Sequence, residues 1–218
     1  MRAVAWDIDG TLVDSEPLHH EALVEASRGF GVDLSDLPAM AFRGVQMQDV
    51  WTLLKSRFPD TLEQTAWLGA IESYYVANAR SLRPITGAIE AVRQVSRLGL
   101  AQACVSNSSR RIVDANLTRL GLADAMGFSI SCDDVANAKP HPEPYRRALD
   151  AFGLPPEAVV AIEDSASGVR SARAAGLRVV GLGMNGARDF PIDWTIENLA
   201  QLINILAPGR GAMTRRQT

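Results

Sequence analysis

Between Gly87 and Leu182 the chain repeats one order four times: a helical apolar face, a Gly-Leu pair, then a short apolar run. The faces are Ile89/Val92/Val95/Leu98, Ile112/Val113/Leu117/Leu120, Tyr145/Ala148/Leu149/Phe152 and Val169/Ala172/Ala175. Gly99-Leu100, Gly121-Leu122, Gly153-Leu154 and Gly176-Leu177 stop them. A left-handed glycine ends a helix, and the following leucine packs back on the last turn. The runs that follow (Ala103–Val105, Phe128–Ile130, Val159–Ile162, Val179–Leu182) read as strands. Helix and strand alternating with short joins specify a parallel sheet covered on both faces, an α/β fold.

A strand also opens the chain. Ala3-Val4-Ala5-Trp6 is apolar without strict alternation, as suits a strand buried on both faces. Asp7, Asp9, Gly10 and Thr11 follow directly, and buried carboxylates need a positive partner. Next comes a block with no strand signal. Pro17 with Leu18, Ala22, Leu23 and Ala26 marks one helix, stopped by Gly29 and Gly31. A second runs from Gln46 to Phe58, and a third starts near Thr61 and reaches Ala79. The expected organisation is a parallel core made of residues 1–15 and 84–207, with an all-α insert at 16–83. A strand at Trp194–Ile196 and a helix over Leu199, Leu202 and Leu206 complete the core. The segment 208–218, rich in Gly, Arg and Thr, reads as a disordered tail.

Composition narrows the partners. A net charge of −3 without a basic cluster gives no nucleic-acid footprint. No apolar run approaches the roughly 18 residues that span a bilayer. The opening run is broken by Asp7 and does not read as a signal peptide. Two cysteines, Cys104 inside an apolar run and Cys132, are too few for a disulfide framework, so a reduced cytoplasmic setting is expected. A monomer acting on a small molecule is the default.

In a parallel sheet all carboxyl ends lie on one edge, where open α/β sheets bind ligands. That edge collects Asp7 and Asp9 after the first strand and Ser106-Asn107-Ser108-Ser109 after the second. Beyond the third lies Lys139, and after the fourth come Glu163-Asp164-Ser165. Acids, one lysine and hydroxyls together make a site for a hard divalent cation such as Mg²⁺ and for a phosphate. Taken singly, each group has a plainer reading. Ser106 is a helix cap, Lys139 a surface residue, and Glu163-Asp164-Ser165 an acidic helix start. The set favours chemistry. There are two lysines against twenty arginines, so a lysine between Ala138 and Pro140 points to a compact ammonium rather than a planar fork.

The string DIDGTL at Asp7–Leu12, with Ser106, Lys139 and Glu163-Asp164 in that order, resembles the haloacid dehalogenase superfamily of phosphotransferases. The likeness is to its sugar-phosphate branch, which includes beta-phosphoglucomutase-like enzymes and related phosphatases, and it extends to about Met184. It implies a Rossmann-like doubly wound core with a helical cap. It also implies a Mg²⁺-dependent phosphatase acting on a small phosphorylated sugar, sugar acid or polyol through an aspartyl-phosphate. By resemblance Asp7 is the nucleophile and Asp9 the general acid and base. Mg²⁺ is held by Asp7, the Asp9 carbonyl and Asp164, with Glu163 supporting it through water. Phosphate and substrate contacts fall to Thr11, Ser106, Asn107 and Lys139, with His19 and Arg43 from the cap. His19 is equally an ordinary core or exposed histidine, and Arg43 a solvated one.

The alternatives are a hexose-phosphate mutase and a silent binding module on the same fold. The mutase carries an arginine two positions after the Gly-Val pair, where this chain has Met47, and a valine at Thr11. Without that grip on a second phosphate, hydrolysis is favoured. Asp9 argues against a dehalogenase, whose relatives lack the second acid. A phosphonate hydrolase is disfavoured too, because Lys55, the single lysine of the insert, lacks the matching first motif. The intact acid set argues against a silent module.

Overall fold

The computed structural model describes residues 1–38, 41–42, 45, 47–184 and 191–207. The chain opens with β1 (Ala3–Trp6) and β2 (Val13–Asp14). The helices α1 (Glu16–Gly29), α2 (Met47–Leu54) and α3 (Gln64–Asn78) follow, and β3 (Arg83–Pro84) closes that section. Alternation then sets in with α4 (Ala88–Arg97), β4 (Ala101–Val105), α5 (Arg110–Leu120) and β5 (Phe128–Ile130). It continues through α6 (Glu143–Phe152), β6 (Val159–Glu163), α7 (Ala166–Ala174) and β7 (Arg178–Leu182) to β8 (Trp194–Ile196) and α8 (Leu202–Leu206).

The main sheet has six parallel strands in the order β5-β4-β1-β6-β7-β8. β1 is central, so its carboxyl end lies between those of β4 and β6. Side chains alternate across the pleat and divide the core into two layers. Val4 and Trp6 join Cys104, Val160, Ile162 and Val180 on one face, whereas Ala3 and Ala5 join Val159, Ala161 and Val179 on the other. Burial on both faces is why β1 reads as a continuous apolar run.

Each Gly-Leu pair is a helix stop. Gly99, Gly121, Gly153 and Gly176 have φ of 72°, 64°, 62° and 88°. The amides of Leu100, Leu122, Leu154 and Leu177 each reach back five residues, to the carbonyls of Val95, Leu117, Leu149 and Ala172. That is the 6→1 bond of a Schellman cap.

Among the described residues between Glu16 and Ser81 there is no strand. Two boundaries there differ from the sequence reading. α2 ends at Leu54 and gives way to a 3₁₀ turn at Lys55–Arg57, and α3 starts at Gln64. Pro59 explains both, since it forces Phe58 into an extended conformation (ψ 149°). Phe58 nevertheless stays in the core, stacked on Trp51 with ring centroids 4.9 Å apart and tilted against Trp67. The sequence reading did not include the two-residue ladder between β2 and β3, which pairs Val13 with Pro84 and Asp14 with Arg83. The expected tail at 208–218 lies outside the described residues.

Replacing Gly121 with alanine places a side chain in the left-handed region at a point with no neighbouring atoms within 4 Å. The expected loss is about 1–2 kcal/mol from backbone strain alone. Urea unfolding should show a lower midpoint with an unchanged m-value.

Candidate active site

The carboxyl ends of β1, β4 and β6, with the loop after β5, converge on one buried charge cluster. Asp7 follows β1, its amide held by the Ile162 carbonyl of β6 at 3.0 Å. The Lys139 ammonium makes three hydrogen bonds, matching its three N–H groups: 2.7 Å to Asp7 Oδ1, 2.7 Å to the Val105 carbonyl and 2.6 Å to Glu163 Oε1. Lys139 is 3% exposed and Glu163 fully buried, so these charges depend on one another rather than on water.

Glycine makes the close approaches possible. Gly10 has φ 83°, and a Cβ there would lie 2.2 Å from Asp164 Oδ2. At Gly168, in the first turn of α7, a Cβ would lie 1.8 Å from Glu163 Oε2. The Ser165 hydroxyl caps that helix, accepting from the Gly168 amide at 3.1 Å.

Asp7, Glu163 and Asp164 each offer an oxygen within 4.8 Å of the others. Among the described residues these three carboxylates share one ammonium, that of Lys139. Burial, with Asp164 and Asp9 adding to it against the pull of Lys139, pushes Asp7 up to about 7. Burial and Asp7 push Glu163 up to about 7 as well, again against Lys139. Burial alone would lower Lys139, but Asp7 and Glu163 outweigh it and raise the ammonium further. The donor set, all hard oxygens, fits a divalent cation such as Mg²⁺.

Asp9 occupies a separate network. Its Oδ1 accepts from Ser15 Oγ at 2.7 Å and Asn116 Nδ2 at 3.2 Å and lies 3.3 Å from His19 Nε2. Oδ2 accepts from Ser106 Oγ at 3.0 Å and Ser108 Oγ at 2.8 Å. Burial would raise this carboxyl, but His19, Ser15 and Ser108 outweigh it and hold it well below the usual range.

The sites read from the sequence therefore separate into groups. Asp7, Lys139, Glu163 and Asp164 come together. Glu163 Oε1 accepts from both Lys139 and the Tyr145 hydroxyl, and Oε2 lies 3.3 Å from Ser165 Oγ. Thr11 is fully buried, with its hydroxyl 3.5 Å from Asp164 Oδ1. Ser106 turns to Asp9 and accepts the Ser108 amide at 2.9 Å. Asn107 exchanges two bonds with the Lys139 main chain, of 2.8 and 3.0 Å, tying the β4 loop to the lysine loop. His19 reaches Asp9, with its ring 4.5 Å from that of Tyr75. Arg43 lies outside the described residues.

Sequence reasoning missed Asn116, Tyr75 and Tyr145. The Tyr75 hydroxyl donates to Asn116 Oδ1 at 2.9 Å, and Asn116 donates on to Asp9. Asn116 did leave a signal, as the one amide on the apolar face Ile112/Val113/Leu117/Leu120. Tyr145 left none, because its ring fits its core face.

A cleft of about 470 Å³ opens onto Asp7, Asp9, Lys139 and Asp164. Its opposite wall comes from α1–α3 and their joins, including His19, Met47, Leu68 and Glu72. Glu72 bridges the two sides, accepting from Ser109 Oγ at 2.6 Å and Arg111 at 3.1 Å. Such a cleft suits a small anion carrying an organic group, held between a charged floor and a partly apolar roof.

Comparison with known proteins agrees with that chemistry. The family model described as haloacid dehalogenase-like hydrolase matches residues 1–176. A phosphorylated carbohydrates phosphatase of Thermotoga maritima is 31% identical over 84% of this chain and 85% of its own. Hexitol phosphatase B of Escherichia coli is 30% identical over 87% and 86%. Among solved structures, CbbY of Rhodobacter sphaeroides in complex with phosphate is 27% identical, with a TM-score of 0.84 over 93% of this chain and 96% of that one.

The loop presenting Lys139 is stapled by Glu143, whose carboxylate accepts the amides of Ala136 at 2.9 Å and Asn137 at 3.0 Å. These bonds, with the Asn137 side chain and Arg147, lower it from 4.5 to about 2. A depressed carboxyl contributes stability above its unfolded value and loses it as pH falls through the folded one. Amide protection at Ala136 and Asn137 should therefore hold down to about pH 4.5 and fall away towards 2. Glu143→Gln should lose that protection at neutral pH, as read by hydrogen exchange.

Proposed function

The chain belongs to the haloacid dehalogenase-like hydrolases, and from that premise we propose that it is a Mg²⁺-dependent phosphatase of small phosphorylated sugars, sugar acids or polyols. The observation that carries the reading is the Asp7–Lys139 pair at the floor of the cleft, with the Asp164 oxygens beside it in reach of a shared cation. The substrate class rests on the names of the relatives, a phosphatase of phosphorylated carbohydrates and one of hexitols. Residues 1–15 and 84–207 form the catalytic core in this reading, 16–83 the cap, and the β2–β3 ladder the hinge between them.

An Asp7 oxygen attacks phosphorus in line, and the bond from phosphorus to the leaving oxygen breaks, giving an aspartyl-phosphate. Asp9 supplies the proton to the leaving alkoxide. A water then attacks phosphorus and gives its proton to Asp9, which releases orthophosphate and regenerates Asp7. The Lys139 ammonium reduces the repulsion between Asp7 and the incoming phosphate. Mg²⁺, held by Asp7 and Asp164, supplies the remaining charge neutralisation when bound. In the arrangement described, Asp9 is held by five side chains and carries no proton, so it must leave some of these partners to reach the leaving oxygen. Ser15, His19 and Tyr75 all lie on or beside the insert helices, which makes cap movement the means of that release. Met47 lines the cleft where a mutase would need a cation for a second phosphate, which supports hydrolysis over isomerisation.

The test is phosphate release from a panel of sugar, sugar-acid and polyol phosphates, with Mg²⁺ and then with EDTA. Release that EDTA abolishes is the expected result. Isomerisation of a hexose 1-phosphate with little net release would favour the mutase instead. Asp7→Asn should lower kcat by roughly a thousandfold or more while the circular dichroism spectrum stays unchanged.

A further inference from the structure

Tyr145 is fully buried on α6, does not line the cleft and takes no part in the chemistry described above. Its surroundings are nevertheless those of the reacting centre. The hydroxyl donates to Glu163 Oε1, the same oxygen that accepts Lys139 Nζ. The ring also lies beneath the ammonium, with Nζ 5.2 Å from its centroid. One side chain thus touches the lysine through its π-face and the lysine's partner through its hydroxyl.

Glu163 is itself set back from the cleft, whose charged floor is made by Asp7, Lys139 and Asp164. Ser165 holds one Glu163 oxygen and the absent side chain of Gly168 gives that oxygen room, so the remaining freedom is rotation about the carboxylate axis. The Tyr145 hydroxyl fixes that rotation. With it fixed, Oε1 and the Val105 carbonyl define two of the three directions of the ammonium, and the third N–H is aimed at Asp7 Oδ1.

We propose that Tyr145 is a positioning residue for this reaction, orienting Lys139 towards Asp7 through Glu163 and through its own ring. The proposal rests on the phosphatase reading for its effect on turnover, but its structural content can be read without turnover. A misdirected ammonium would chiefly weaken the step in which negative charges are brought together, because Tyr145 does not itself line the cleft and reaches it only through Lys139.

The chain has two lysines, so lysine-ζ-¹⁵N labelling gives two signals to assign. Lys55 is exposed, and its ammonium protons exchange with water; Lys139 is enclosed and should give a protected NH₃⁺ signal. In Tyr145→Phe, which keeps the ring and loses the hydroxyl, that signal should shift and lose protection. In the same variant kcat should fall about tenfold, the worth of one hydrogen bond to a charged group, with KM changed less than twofold. Tyr145→Leu, lacking the ring too, should fall further. The Tyr145→Phe effect should largely vanish in a Glu163→Gln background, because the hydroxyl acts through that carboxylate. A lowered Tm with the Nζ signal and kcat at wild-type values would mean packing alone and overturn the proposal. An additive loss in the double variant would overturn it as well. If the wild type turns over no phosphate monoester, the function proposed above fails. The Nζ signal then decides the positioning role alone, supporting it by moving and overturning it by standing still.

Discussion

The site depends on one buried ammonium. Lys139 is enclosed by three oxygen acceptors drawn from three places: Asp7 beyond β1, the end of β4 at Val105, and Glu163 at the end of β6. A charge so enclosed is costly unless every N–H is answered, and here the geometry answers all three. The relation is mutual, since neither Asp7 nor Glu163 could remain ionised at that depth without the lysine. The placement of β1 makes this possible, because it runs between β4 and β6, whose carboxyl ends bring the Val105 carbonyl and Glu163. The sheet order is therefore a requirement of the electrostatics as much as of packing.

Around that charge the carboxylates are divided by their surroundings. Behind the lysine lie a carboxylate and a phenol, sealed from solvent. In front lie Asp7 and Asp164, open to the cleft. To one side, Asp9 stands in a cradle of hydroxyls, an amide and an imidazole that stabilises its ionised form. Two aspartates two residues apart thus have opposite tendencies. Burial beside other carboxylates raises Asp7, whereas hydrogen-bond donors hold Asp9 low. The reaction proposed needs both tendencies reversed, an ionised Asp7 and a protonated Asp9, so Lys139 serves the first and release of Asp9 from its donors serves the second.

Much of this was legible in the chain. The Gly-Leu stops fixed where the later helices end because a left-handed residue and its back-bond are local events, set within six residues. The apolar run of β1 announced burial on both faces, and the strand ends announced which residues meet. What could not be read was side-chain direction. Ser106 has a hydroxyl suited to phosphate and to Asp9 alike, and only the approach of α1 and α5 decides between them. Thr11 lies inside the motif but beneath Asp164, a matter of one turn of backbone at Gly10. Tyr145 looks apolar in any periodicity because its ring does pack in the core; its hydroxyl acquires meaning only when β6 is placed beside α6. The β2–β3 ladder escaped because two residues carry no period.

That ladder bears on how such a chain is assembled over time. Val13 faces Pro84 and Asp14 faces Arg83, so the point where the chain leaves the sheet layer and the point where it returns are neighbours. The six-stranded sheet is accordingly completed without reference to whatever lies between them. A segment of different size or shape could enter and leave through the same doorway, and the strand order, the lysine and its acceptors would stand unchanged. The chemistry at the floor and the choice of what enters the cleft are thereby left to vary as separate inheritances.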